Sequence, residues 1–223
     1  WDAVLPGSVA PGDWQPGEKI REQILIGPLP DLEPGAYPLN ISLAGPESPE
    51  FWPISLDNDL ERLDRLQVGY LVVPAAVDET MIQRSEATFA GQIKLLGYSM
   101  SAPRSGEGLD LTLFWEASEP LGEDAAALNV FTHLLDGSGQ LVANHDGVPG
   151  NGRYSVSSWL PGNTIVDAHV IHLPPDLPGG DYDIRVGLYD PESGERLPVV
   201  AGDGTAAPDQ AFLLTEFSIA TSQ

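Results

Sequence analysis

The chain has 223 residues, enough for one large domain or two smaller ones. Ten Lys and Arg against 33 Asp and Glu give a net charge of −23, which excludes recognition of nucleic-acid phosphates and docking on an anionic membrane surface. There is no Cys, hence no disulfide framework, cysteine zinc site or thiol nucleophile, whereas a hydrophobic content of 42% is ample for a core.

The chain opens on Trp1-Asp2 with no basic segment, so no signal peptide is read there, and the chain is expected to be a processed or excised part of a longer protein. No run approaches the ~20 apolar residues of a spanning helix. Trp14-Gln15-Pro16-Gly17 then signals a turn. Strands are expected near 19–26, 36–43, 51–55 and 66–73, with a short helical candidate at Asp59–Leu66 and a linker at 76–86. A longer series follows, near 89–99, 109–116, 128–135, 140–145, 164–173, 181–188 and 211–220. Asp136-Gly137-Ser138-Gly139 is expected to join two of these in a hairpin that sets His145 opposite Val130. The segment Pro174-Pro175-Asp176-Leu177-Pro178-Gly179-Gly180 is a connection, since three prolines and two glycines cannot sit inside a strand or helix. Asp181 to Leu188 alternates strictly, with Tyr182, Ile184, Val186 and Leu188 on one face of a half-buried antiparallel strand.

Shifting the chain by 145 positions lays 14–48 over 159–193 without a gap, and 14 of the 35 positions are identical. They include Trp14/Trp159, Pro16/Pro161, Gly17/Gly162, Asp31/Asp176, Gly35/Gly180, Tyr37/Tyr182 and Pro46/Pro191. The expected fold is all-β: an antiparallel sandwich, Ig-like or jelly-roll-like, complete over 87–223 and preceded by a related truncated repeat over 1–75. Nothing before Trp14 matches 89–145, so the first repeat is expected either to begin upstream of Trp1 or to be completed by a neighbour or a second copy.

The second unit carries G-x-x-L-x-L-T-L-F-W (106–115), V-F-T-H-L-L-D-x-x-G-x-L-V-A (130–143), S-S-W-x-P-G (157–162), L-P-P-D-L-P-G-G-D-Y (173–182) and V-G-L-Y-D-P-E-S-G-E-R-L-P (186–198). This resembles the soluble C-terminal region of multi-pass bacterial membrane glycosyltransferases, of the protein mannosyltransferase and arabinose transferase kind. The resemblance covers most of 87–220 and, through the repeat, much of 1–75. It implies an extracytoplasmic, non-catalytic accessory sandwich, the soluble part of a membrane protein, with a carbohydrate or protein partner and no cofactor. In such proteins the transferase site lies in the membrane-embedded part, so no catalytic residue carries over. Two alternatives are a free-standing secreted carbohydrate-binding or adhesion module and a glycoside-acting enzyme.

Individual residues are weighed against ordinary roles. His169 and His172, three apart on one strand, point to opposite faces, and His133 and His145 are set too far apart to share a metal, so structural or exposed roles are favoured for all four. No metal or ligand site is assigned. A glycosidase would need two carboxylates ~5–10 Å apart; Glu116 is the least ordinary acid but is read as a solvated edge residue. Asp57-Asn58-Asp59-Leu60-Glu61 resembles a calcium loop but has Arg62 where Gly is required. Gly106 and Gly108 lie in a hairpin loop and make no phosphate cradle. Trp14, Trp52, Trp115, Trp159 and Tyr182 could form a sugar-stacking platform, although core packing is favoured.

Overall fold

The computed structural model describes Gln15 and residues 31–44, 51–52, 54, 63–122, 125 and 127–220. The chain forms two compact units, Trp1–Glu33 and Pro34–Gln223, and the described strands all lie in the second. They are β1 (Gly35–Ile41), β2 (Leu43–Ala44), β3 (Phe51–Trp52), β4 (Leu66–Val73), β5 (Gln83–Phe89), β6 (Ile93–Met100), β7 (Gly108–Ala117), β8 (Asn129–Asp136), β9 (Leu141–Gly147), β10 (Ile165–His172), β11 (Gly180–Tyr189), β12 (Val199–Ala201) and β13 (Phe212–Ile219). Among the described residues no helix is long and apolar enough to cross a membrane.

Two antiparallel sheets make a sandwich, one ordered β10-β7-β6-β5-β12 and the other β13-β11-β8-β9. With β6, β7, β8, β9, β10, β11 and β13 taken as A, B, C, C′, E, F and G, the sheets read A-B-E and C′-C-F-G, the Ig-like connectivity without a D strand. The Tyr182 hydroxyl donates to the Pro178 carbonyl at 2.7 Å where the chain enters β11, a tyrosine corner at the expected end of strand F. Alternation supplies the core. Leu109, Leu111, Leu113 and Trp115 of β7 and Tyr182, Ile184, Val186 and Leu188 of β11 are buried. Trp115 packs edge-on to Phe89 at 5.4 Å and tilted against Trp159 at 6.1 Å. Trp159 follows a 3-10 turn at Val156–Ser158, has no exposed surface and donates its indole N–H to the Tyr154 carbonyl at 3.1 Å.

The repeat recurs as strand pairing. β1 pairs with β4 from Gly35↔Val73 to Ile41↔Leu66, and β11 pairs with β13 from Gly180↔Ile219 to Val186↔Phe212. Both ladders break register at the same repeat position, between Leu39 and Asn40 and between Ile184 and Arg185. Ala44↔Phe51 in the first repeat has its counterpart in the bridge Tyr189↔Arg196. The first repeat's β1–β4 ribbon is thus an F–G pair. It joins the second repeat through Ala36 N–H to the Arg153 carbonyl (2.9 Å) and the Tyr154 hydroxyl to the Val73 carbonyl (2.8 Å).

Several expectations change. The strand expected over 89–99 is a hairpin: Ala90 and Gly91 both take positive φ, and the chain reverses between β5 and β6. β5 begins at Gln83, inside the stretch expected as a linker. β12, at Val199–Ala201, overlaps 196–200, the repeat counterpart of the strand expected near 51–55. The strand expected at 19–26 and most of the helical candidate at 59–66 lie outside the described residues, although Leu66 opens β4. His145 pairs with Thr132, not Val130. The loop is longer than a two-residue turn, because the Asp136 carboxylate accepts from the N–H groups of both Ser138 and Gln140, and a bulge at Leu134/Leu135 adds a further step.

Replacing Trp159 by Ala removes a fully buried indole from the centre of this core. A loss of about 3–5 kcal/mol in urea unfolding is expected; a loss below 1 kcal/mol would mean that Trp159 does not organise the core.

Candidate functional site

The alternation of β10 buries Ile165, Asp167, His169 and Ile171 and turns Ala168, Val170 and His172 outward. Two of the inward residues are polar: Asp167 is 1% exposed and His169 3%. Such groups persist in a core only with partners. Asp167 receives the Trp115 indole N–H on Oδ2 at 3.2 Å and the Gly150 backbone N–H on Oδ1 at 2.8 Å, and its Oδ2 also meets His169 Nε2 at 2.8 Å.

The second histidine comes from the opposite sheet. β9 and β10 are the edge strands that approach each other on one side of the sandwich. His145 of β9 shares the inner face with Thr132, and its Nδ1 lies 2.9 Å from Nδ1 of His169, the rings nearly perpendicular at 84°. An ionised carboxylate only accepts, so the proton on His169 sits on Nε2 and its Nδ1 carries a lone pair. His145 therefore donates from Nδ1, and its Nε2 holds the free lone pair. Asp167, His169 and His145 form one hydrogen-bonded line from the core to the rim.

Above that line the chain turns through Val148–Gly152. Gly150, Asn151 and Gly152 are all left-handed, with φ of 62°, 56° and 84°. At Gly150 the lack of a side chain is required twice over, since a Cβ there would come within 2.5 Å of the Tyr154 ring. This turn and the edges of β9 and β10 bound a cleft of about 390 Å³ lined by His145, Asp146, Gly147, Val148, Asn151, Gly152, Asp167, Ala168 and His169.

Electrostatics keep the rim histidine neutral. Burial lowers the His145 pKa below the ordinary histidine value, and the neighbouring His169 adds to that. Asp146 stands on the outer face of β9 with His133. Burial alone would raise its pKa, but hydrogen bonds from His133 and Asn144 outweigh that and hold it below the usual carboxylate range.

The residues singled out in the sequence fall as follows. His169 and His172 do face opposite ways, and His133 and His145 lie on opposite faces of their sheet. The pairing that matters, His145 with His169, joins different sheets and was not expected. Trp115, Trp159 and Tyr182 are core residues, and no aromatic side chain described here is exposed. Trp14 and the acidic loop at 57–61 lie outside the described residues, as does the side chain of Trp52. Glu116 stands opposite Lys94 in the β6–β7 ladder. Gly106 turns the loop before β7, its N–H on the Pro174 carbonyl, and Gly108 opens β7. The chain matches no family model, and no curated protein matches it.

Replacing Asp167 by Ala strands the Trp115 and Gly150 N–H groups and removes the partner of His169. A loss of about 3 kcal/mol or more in chemical unfolding is expected, and a near-neutral effect would refute the central place of the carboxylate. For His145 the sign of the pH effect follows from its lowered pKa. The unfolded chain takes up a proton near the ordinary value of 6.5 while the folded one does not, so stability is complete above that pH and falls as pH drops through it. The urea midpoint should decline between pH 7.5 and 5.5, and less steeply in His145→Gln; identical slopes would remove His145 from the account.

Proposed function

We propose that this chain is a non-catalytic recognition module, the extracytoplasmic accessory sandwich of a membrane glycosyltransferase-like protein, and that it takes a carbohydrate in the cleft between β9 and β10. The observation that carries the reading is the cleft itself. Its volume suits a small ligand. Its polar groups are held in place: the outward lone pair of His145 is set by the line behind it, and Asn151 offers an amide at the exposed crest of the turn. Fixed acceptors and donors beside the apolar surface of Val148 and Ala168 suit a ligand that, like a sugar, carries hydroxyl groups on a partly apolar ring.

Two further observations agree. The motifs that carry the resemblance to glycosyltransferase-associated sandwiches fall on β7, β8, β9 and β11 and on the connections before β10 and β11. Asp167 is the single fully buried carboxylate among the described residues, whereas glycoside hydrolysis calls for a pair. Recognition here is polar, because Trp115 and Trp159 are committed to the core.

A glycan array on the whole chain, repeated with His145→Gln and Asn151→Ala, tests this. Binding to a defined set of glycans that both substitutions weaken at least tenfold supports it. Binding unaffected by either would move the site elsewhere, and no binding to any glycan would overturn the carbohydrate reading in favour of a protein-contact role.

A further inference from the structure

The cleft ends on two imidazoles whose Nδ1 atoms face each other at 2.9 Å, one from each sheet. The geometry points to a binding site for a divalent late transition-metal ion, Zn²⁺ or a similar cation, held between Nδ1 of His145 and Nδ1 of His169.

Three features carry this assignment. The first is convergence. Two nitrogens that share one proton at 2.9 Å need to part by only a few tenths of an ångström to take a metal at ~2.0–2.1 Å from each in a tetrahedral arrangement. His145 then moves its proton from Nδ1 to Nε2, and the ion takes the place of the shared hydrogen. His145 can make this adjustment because it stands on an edge strand and is half-buried.

The second is the shell behind the ligands. A metal-binding imidazole usually donates its other N–H to a carboxylate, which fixes the tautomer and raises the basicity of the ligand. His169 does this to Asp167 at 2.8 Å, and Asp167 is locked in turn by Trp115 and Gly150. The lone pair of His169 Nδ1 is therefore aimed before any ion arrives.

The third is access and field. Both imidazoles line the open cleft, so the ion has a way in and its remaining positions face solvent. Among the described residues no three His, Cys, Asp or Glu side chains converge, so the protein supplies two ligands and leaves the others to water or a bound molecule. That is one protein ligand fewer than the three of an open zinc site and two fewer than the closed cages of structural zinc, so exchangeable binding is expected. A net charge of −23 raises the local concentration of cations around the whole chain, and nitrogen ligands select late transition metals over Ca²⁺ or Mg²⁺.

The assignment is independent of carbohydrate recognition, because its probe is the metal alone. Titration calorimetry with ZnCl₂ at pH 7.5 in 0.15 M NaCl, salt that screens the exposed carboxylates, should give saturable binding of one ion per chain. His145→Gln, a change at the rim, should abolish it. Asp167→Asn, where folded by circular dichroism, should weaken it about 10–100-fold. With Cu²⁺ as probe, the electron paramagnetic resonance spectrum should show hyperfine coupling to two nitrogens and lose it in His145→Gln. Weak uptake at many sites that His145→Gln leaves unchanged, or a Cu²⁺ signal from oxygen ligands only, would overturn the site. A negative glycan array would leave it standing.

Discussion

A carboxylate enclosed in a hydrophobic sandwich is the constraint on which this structure turns. Desolvating Asp167 costs several kcal/mol unless its oxygens are satisfied, and the fold satisfies them from three directions. Trp115 comes from the neighbouring strand, Gly150 from a turn outside the sheet, and His169 from two residues along β10. Each partner is thereby held as firmly as Asp167 is. The indole of Trp115 that anchors the core against Phe89 and Trp159 is oriented by the same oxygen that sets the tautomer of His169. Packing and chemistry meet at one atom, so the position of the cleft follows from the position of the core.

Much of the fold was legible because strands announce themselves by alternation and by glycine and proline at their ends. Asp181–Leu188 is such a case, and β11 matches it closely, whereas 66–73 follows from the repeat and is β4. The 145-residue repeat was readable as identity and reappears as pairing, down to the shared bulge. What escaped were features decided by backbone detail. The turn at Ala90-Gly91 hid within an apolar stretch because Ala is an unusual residue at positive φ. The β8–β9 register slipped because side-chain capping by Asp136 and a bulge lengthened the loop, and neither leaves a mark on hydrophobic spacing.

The site was half legible. In Ile165-Val166-Asp167-Ala168-His169-Val170-Ile171 the period of two that places Ile165 and Ile171 in the core must place Asp167 and His169 there too. A buried Asp and His two apart on a strand are a sign that spacing alone could have given. His145 was not recoverable in this way. Its contact with His169 depends on which strands form the edges of the two sheets and on a hairpin register two residues from the one expected.

The repeat adds a consequence for the cleft. Tyr154 lies just after the turn that caps Asp167, its ring fills the space that Gly150 leaves, and its hydroxyl ends on the Val73 carbonyl of β4. Trp159 is tied to the same residue through the Tyr154 carbonyl. One residue therefore touches the ribbon contributed by the first repeat, the core tryptophan of the second and the glycine that donates to the buried carboxylate. A ribbon of two strands has little core of its own to hold it, yet here it is fastened beside the turn whose geometry shapes the cleft. The β1–β4 ribbon is thus part of the frame of the site as well as the repeat counterpart of the β11–β13 pair, and the left-handed run Gly150-Asn151-Gly152 is the place where that ribbon's anchor and the polar line from Asp167 to His145 meet.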